Sequence, residues 1–368
     1  MTQDYKISLD SNRERIYSLL TQGYFFLFQE GGKEGHWYET RSTALAGMCL
    51  EIREHGDSQW LKSVRKWLLD NQITEGDATG SWGEEIWDTA MAIIALKSFG
   101  VSSKDESIQK GLKWISALYS VNGRGNWHDE PWETSWALMA ILTSGLSVEQ
   151  VNIVKAIEWL ISFQDTDGRI ISPHYTAYFV LINSRLDKVE IDTTSRERIA
   201  QANKKAIECL VMLLEESDKD RLWTGEAWSN GQILWSLSMG RAFPVSNGVL
   251  LNKTIHWFES TQSKSGNWRD IEDTASAILG LYSLLETIVA NTEGIQSAKE
   301  IYKVLQKRVP TPSLYIKRPF IERHKDIGGI SINFSNRMVR VIATIGLLAT
   351  ISATIAQLID FLWNHWIK

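Results

Sequence analysis

Cysteine is scarce in this chain: 368 residues contain two, Cys49 and Cys209, each inside an apolar stretch of helical character. Neither sits in the spacing of a metal motif, so both read as small buried hydrophobes in a reducing compartment, not as a disulfide or a ligand pair. An excess of basic charge is also missing. Lys and Arg number 39 against 44 Asp and Glu, a formal net charge of −5, which excludes the basic footprint of a nucleic-acid partner. The N-terminus, MTQDYKISLDSNRERIYSLL, has no uninterrupted apolar core and therefore does not read as a secretion signal. What is present is core material. Hydrophobic residues make up 43% of the chain and tryptophan numbers 17, far from the composition of a disordered protein.

Internal repetition organises that material. Alignment on a short pattern of acid, Thr and small residue gives six units, Ser42-Thr43-Ala44, Asp88-Thr89-Ala90, Glu133-Thr134-Ser135, Tyr175-Thr176-Ala177, Ser229-Asn230-Gly231 and Asp273-Thr274-Ala275. The copies lie about 45 residues apart, a period typical of stacked helical repeats. Each opens a helix that is apolar nearly all round, as in DTAMAIIAL and DTASAILGL, which predicts burial on both sides. Between them run amphipathic helices marked by Trp67, Trp114, Trp159 and Trp257, with Cys209 at that place in the fifth copy; Ser11 to Gln29 supplies the first of this outer series. Gly- and Asn-containing turns, such as Asn122 to Trp127 and Gln262 to Trp268, follow the outer helices, and their Gln and Trp side chains are suited to locking the turn to its neighbours. Six outer and six inner helices predict an all-α fold, a single (α/α)6 barrel over residues 1–308. Its last part, Thr292 to Arg308, reads as one more charged helix.

Residues 309–337, with Pro310, Pro312, Pro319, Gly328 and Gly329, read as a linker with a short strand at Ile330 to Phe334. The stretch Val341 to Ile359 carries no charge, and at ~1.5 Å per residue it nearly crosses a ~30 Å hydrocarbon core. Trp363 and Trp366 suit one interface, while Lys317, Arg318, Lys325, Arg337 and Arg340 lie on the other side. The expectation is a transmembrane tail anchor at 338–363 in the lipid bilayer, with the toroid in the cytoplasm.

From Gln29 to Leu285, the Gln-to-Gly-x-Trp turns followed by D-T-A helices resemble the QW repeats of squalene–hopene and oxidosqualene cyclases, and more broadly the prenyltransferase and squalene-oxidase repeat family. That resemblance implies an α/α toroid and a class II reaction, in which an acid protonates a polyprenyl or other lipid substrate and cyclisation follows. The family's acid motif is D-x-D-D-T-A. Here it reads Asp270-Ile271-Glu272-Asp273-Thr274-Ala275, which puts Glu272 at the donor's place with Asp270 and Asp273 beside it; Glu for Asp moves the carboxyl by a methylene. Crowded carboxylates raise one another's pKa, as a proton donor requires. Asp273 also aligns with Asp88 and Glu133, so it has a second reading as a helix-start acid. Trp87, Trp132, Trp136, Tyr175, Tyr178, Trp228 and Trp235 are expected to turn π faces toward a cavity, where they would stabilise cations. The Asp, Cys, His ligand set of zinc prenyltransferases is not offered, so neither metal nor cofactor is expected. Hopene-type cyclases carry a second barrel-like domain, so a full chamber would need a homo-oligomer or a second protein. The alternative is a toroid without catalysis that binds a lipid, peptide or protein as a membrane-anchored effector or receptor. A narrow filled barrel with Glu272 paired to Arg41 would favour it.

Overall fold

The computed structural model describes residues 3–31, 35–54, 58–119, 124–145, 151–218, 220–293 and 300–309. Every regular element among them is helical, and Met1–Leu314 forms one compact unit. Six inner helices are α2 (Thr40–Glu54), α4 (Ile86–Ser98), α6 (Pro131–Ser144), α8 (Pro173–Asn183), α10 (Ala227–Met239) and α12 (Ile271–Thr292). Six outer helices are α1 (Gln3–Glu30), α3 (Gln59–Asp70), α5 (Glu106–Ala117), α7 (Ile153–Ile161), α9 (Thr193–Glu216) and α11 (Gly248–Thr261). Each inner helix packs on the next, and α12 packs back on α2, so the inner layer closes into a ring. This is the expected (α/α)6 toroid.

The inner helices bury nearly every side chain, α4 from Thr89 to Leu96 without interruption, because both their faces meet other helices. Each begins two residues before the repeated acid-Thr-small pattern: Thr40 before Ser42, Ile86 before Asp88, Ile271 before Asp273. The pattern therefore sits inside the first turn, where its Thr has a defined task. Thr43, Thr89, Thr134 and Thr274 accept the backbone N–H of Trp37, Trp82, Trp127 and Trp268 at 2.9, 3.0, 3.1 and 3.1 Å. The indole N–H groups of Trp37, Trp127, Trp223 and Trp268 donate to carbonyls of Leu27, Ile115, Leu210 and Phe258 near the ends of the preceding outer helices, at 2.7–3.0 Å. In the fifth unit Asn230 replaces Thr and accepts from the Thr224 N–H at 3.0 Å. Gln72, Gln164 and Gln262 each donate twice, to the turn's own carbonyl and to a carbonyl of the next outer helix. For Gln262 that second acceptor is Leu19 on α1, which links the last outer helix to the first. These bonds satisfy backbone groups that helix ends leave unpaired.

Two expectations change. The first outer helix starts at Gln3, not Ser11. The segment from Thr292 to Arg308 is not one helix: Thr292 ends α12, and a separate α13 spans Ile301–Arg308. Among the described residues α12 is the helix long and apolar enough to cross a membrane, yet 83% of its apolar window is buried, as a core helix requires. The linker beyond residue 309, the strand at Ile330 to Phe334 and the anchor at 338–363 lie outside the described residues.

Candidate functional site

The second residue of each inner helix defines one mouth of the barrel: Arg41, Trp87, Trp132, His174, Trp228 and Glu272. These six form a chain of contacts. The Arg41 guanidinium lies 4.3 Å from the Trp87 ring centre, and Trp87 meets Trp132 edge-on at 4.7 Å. Trp132 lies 5.9 Å from His174, and His174 lies 5.5 Å from Trp228. On the other side, Arg41 Nε is 3.7 Å from Glu272 and 3.2 Å from Asp88. Between Trp228 and Glu272 the described residues make no such contact, and there a cavity of about 290 Å³ opens, lined by Leu45, Trp87, Trp228, Gln232, Asp273 and Ser276, with Glu226, Arg269, Asp270 and Glu272 around it.

Aromatic side chains cluster below the rim. Trp132 meets Tyr175 at 6.0 Å, Tyr178 at 5.3 Å, Trp136 at 6.0 Å and Trp228 at 6.1 Å, so one indole touches rings from α6, α8 and α10. Beneath it, Trp136 packs on Tyr178 at 5.1 Å, and the Tyr178 hydroxyl donates to Gln232. Trp136, Tyr178 and Gln232 are all buried. Six of the seven aromatic residues expected at a cavity thus converge: Trp87 and Trp228 wall the cavity, and Trp132, Trp136, Tyr175 and Tyr178 form a plug beside it. Trp235 is elsewhere. It lies two turns further along α10, beside Arg185 at 5.8 Å.

The acid run divides by direction, since neighbours on a helix point ~100° apart. Asp270 is the N-cap of α12 and accepts the Asp273 N–H at 2.9 Å, and Asp273 lies in the first turn as a helix-start acid. Glu272 turns toward α2, accepting from Ser42 at 3.2 Å beside Arg41. Burial raises its pKa, and Arg41 opposes that rise. Asp273 turns inward, is 3% exposed, and accepts the backbone N–H of Trp228 at 2.7 Å. Burial pushes its pKa up to about 6; Asp88, half-buried beside Arg41, is pushed to about 6 by the same cause. Burial thus raises both Glu272 and Asp273 above the usual carboxylate range. Ser276 and Gln232, which sequence reasoning missed, follow from i+3 and i+4 spacing to Asp273 and Trp228. Among the described residues no group of three or more His, Cys, Asp or Glu side chains is arranged to hold a metal ion.

The raised pKa has a measurable consequence. A carboxyl at 3.8 when unfolded and about 6 when folded favours the folded state below pH 4 and loses that advantage as pH rises toward 6. At ~1.4 kcal/mol per unit, the effect is on the order of 3 kcal/mol. Relative to Asp273→Asn, the wild type is therefore expected to gain about 2 kcal/mol between pH 7 and pH 4.5 in urea unfolding. An unchanged difference would refute the shift.

No family model matches the chain, and no curated protein matches it. Among solved structures it is similar to MstE, a type II terpene cyclase from Scytonema, in an apo single-substitution variant. The TM-score is 0.57 at 12% sequence identity, and the match covers 75% of this chain and 99% of that one. The likeness is one of fold.

Proposed function

We propose that this chain is a ligand-binding toroid of the terpene-cyclase type, with its site in the mouth between α2, α4, α10 and α12. A linker over 309–337 and an apolar anchor over 338–363 would hold the toroid on the cytoplasmic side of a bilayer, as an effector or receptor. The observation that carries this reading is the aromatic plug: Trp132 and Trp136 pack on Tyr178, and the Tyr178 hydroxyl donates to Gln232. The remaining ~290 Å³ is at the lower edge of the ~300–1,000 Å³ of small-molecule sites, and most of its lining is polar. Pairing of Glu272 with Arg41 further supports it, since a carboxylate held by a guanidinium resists giving up the form that pairs.

A second reading, protonation-initiated cyclisation of a polyprenyl substrate, is favoured by Asp273. With a pKa of about 6 it is roughly a tenth protonated at pH 7, and it faces Trp87 and Trp228 across the cavity. One experiment separates the two. Detergent-solubilised full chain is incubated with farnesyl and geranylgeranyl diphosphates, squalene and oxidosqualene. The binding reading expects no cyclic product; a product made by the wild type and lost in Asp273→Asn would establish the cyclase and assign its acid.

A further inference from the structure

The cavity at the mouth has a consistent chemical character. Four carboxylates, Glu226, Asp270, Glu272 and Asp273, border it against the Arg269 guanidinium. Arg41, the nearest further cation, is engaged by Asp88 and Glu272. Inner-helix N-termini offset part of this negative charge through their dipoles, yet a cation-sized deficit remains next to two indole rings. Independent of that acidity, Ser276 is fully buried, lines the cavity, and its hydroxyl has no hydrogen-bond partner. A buried hydroxyl left unpaired costs about 1–3 kcal/mol, a cost that a donor arriving with a ligand removes.

Resting on the binding reading above, we propose that the mouth takes the primary ammonium group of a small organic amine, with Asp273 as counter-charge, Ser276 as a hydrogen-bond acceptor, and the Trp87 and Trp228 rings against its carbon body. Each element of the site selects for this class. A carboxylate and a hydroxyl both accept, and an ammonium has three donors. Indole faces attract a cation and bury the adjoining methylene groups. A hard divalent ion would need oxygen ligands all round, and indole walls supply none. The place is held in the free protein by Arg269, whose Nε is 3.7 Å from Asp273 and also 3.7 Å from Asp270. Its side chain is 73% exposed, so this pair is readily displaced.

The test is calorimetric titration of the full chain in detergent with hexylammonium, 1-hexanol and hexanoate, which share a body and differ in the head group. Hexylammonium is expected to bind at least tenfold more tightly than hexanol, with no binding of hexanoate. Asp273→Asn should weaken the amine at least tenfold and Ser276→Ala about threefold to tenfold. Arg269→Ala should tighten it a few-fold, because the competing cation is gone; a merely structural arginine would not produce that gain. Thermal melts of the variants establish that they fold. Equal binding of hexanol and hexylammonium overturns the charge selection while leaving the mouth a ligand site. Amine affinity unaffected by Asp273→Asn and Ser276→Ala overturns the assigned place. A cyclic product in the polyprenyl incubation, with no binding of any of the three probes, overturns the binding reading itself.

Discussion

Replacing Gly231 with alanine is expected to lower the melting temperature by at least ~4 °C, the equivalent of about 3 kcal/mol in a protein of this size. A Cβ at Gly231 would stand 2.3 Å from the Ser276 carbonyl oxygen, 2.4 Å from its carbon and 2.7 Å from the Ala277 nitrogen. Those are backbone atoms of α12 and cannot swing aside, so α10 and α12 would have to separate. Gly280 approaches from the other side, where a Cβ would meet the Gly231 oxygen at 2.4 Å. Overpacking by one methyl ordinarily costs ~1–3 kcal/mol when side chains can yield; here the upper end is the starting point. Gly47→Ala is the control. Its Cβ would meet the ends of Phe99 and Val64 at 2.7 Å, which have room to rotate, and alanine recovers up to ~1 kcal/mol of helix propensity. Gly47→Ala should therefore melt well above Gly231→Ala. Separation of the two helices would also break the bond from the Trp228 N–H to Asp273, so the weakened fold and a lost site go together. A Gly231→Ala protein that melts within 2 °C of wild type would show that the helices are not pressed backbone to backbone.

The ring of helices was legible because the repeat states it six times. Apolar periodicity marks each inner helix, and the Thr that follows the acid keeps its place even where the Trp is lost: Thr176 accepts from the Ile170 N–H at 2.9 Å. The rim residues were legible too, since Glu272 occupies the position of Trp87, Trp132 and Trp228 in the repeat. What could not be read was direction and radius. A helix buried all round gives no pattern to tell which of Glu272 and Asp273 faces the axis, and the answer depends on α2 supplying Arg41 and Ser42 to one side. Likewise, aromatic rings at a rim line a wide barrel but fill a narrow one, and the width is set by contacts such as Gly231 on Ser276 that involve no local signal. Trp235 shows the same limit along the axis. Being two turns deeper than Trp228 was countable, but where the plug ends was not.

Trp132→Ala tests the plug directly. Removing a Trp from a packed site costs ~3–5 kcal/mol, and partial exposure at the rim puts this one near ~3 kcal/mol, a fall of about 4–5 °C. Loss on that scale corresponds to a vacancy of roughly 100 Å³, walled by Trp87, Trp136, Tyr178 and Trp228. An apolar vacancy of this kind takes up a matching hydrocarbon or aromatic solute. Indole added to Trp132→Ala is therefore expected to recover part of the lost melting temperature and to leave the wild type unchanged. The same opening, joined to the existing cavity, gives the barrel its best chance of admitting an isoprenoid chain. Farnesol should stabilise Trp132→Ala and not the wild type if the native mouth admits only a head group. Stability unaffected by the substitution, with no indole rescue, would mean that Trp132 is a rim ornament over an open chamber. The polyprenyl reading, with Asp273 as its acid, would then take precedence.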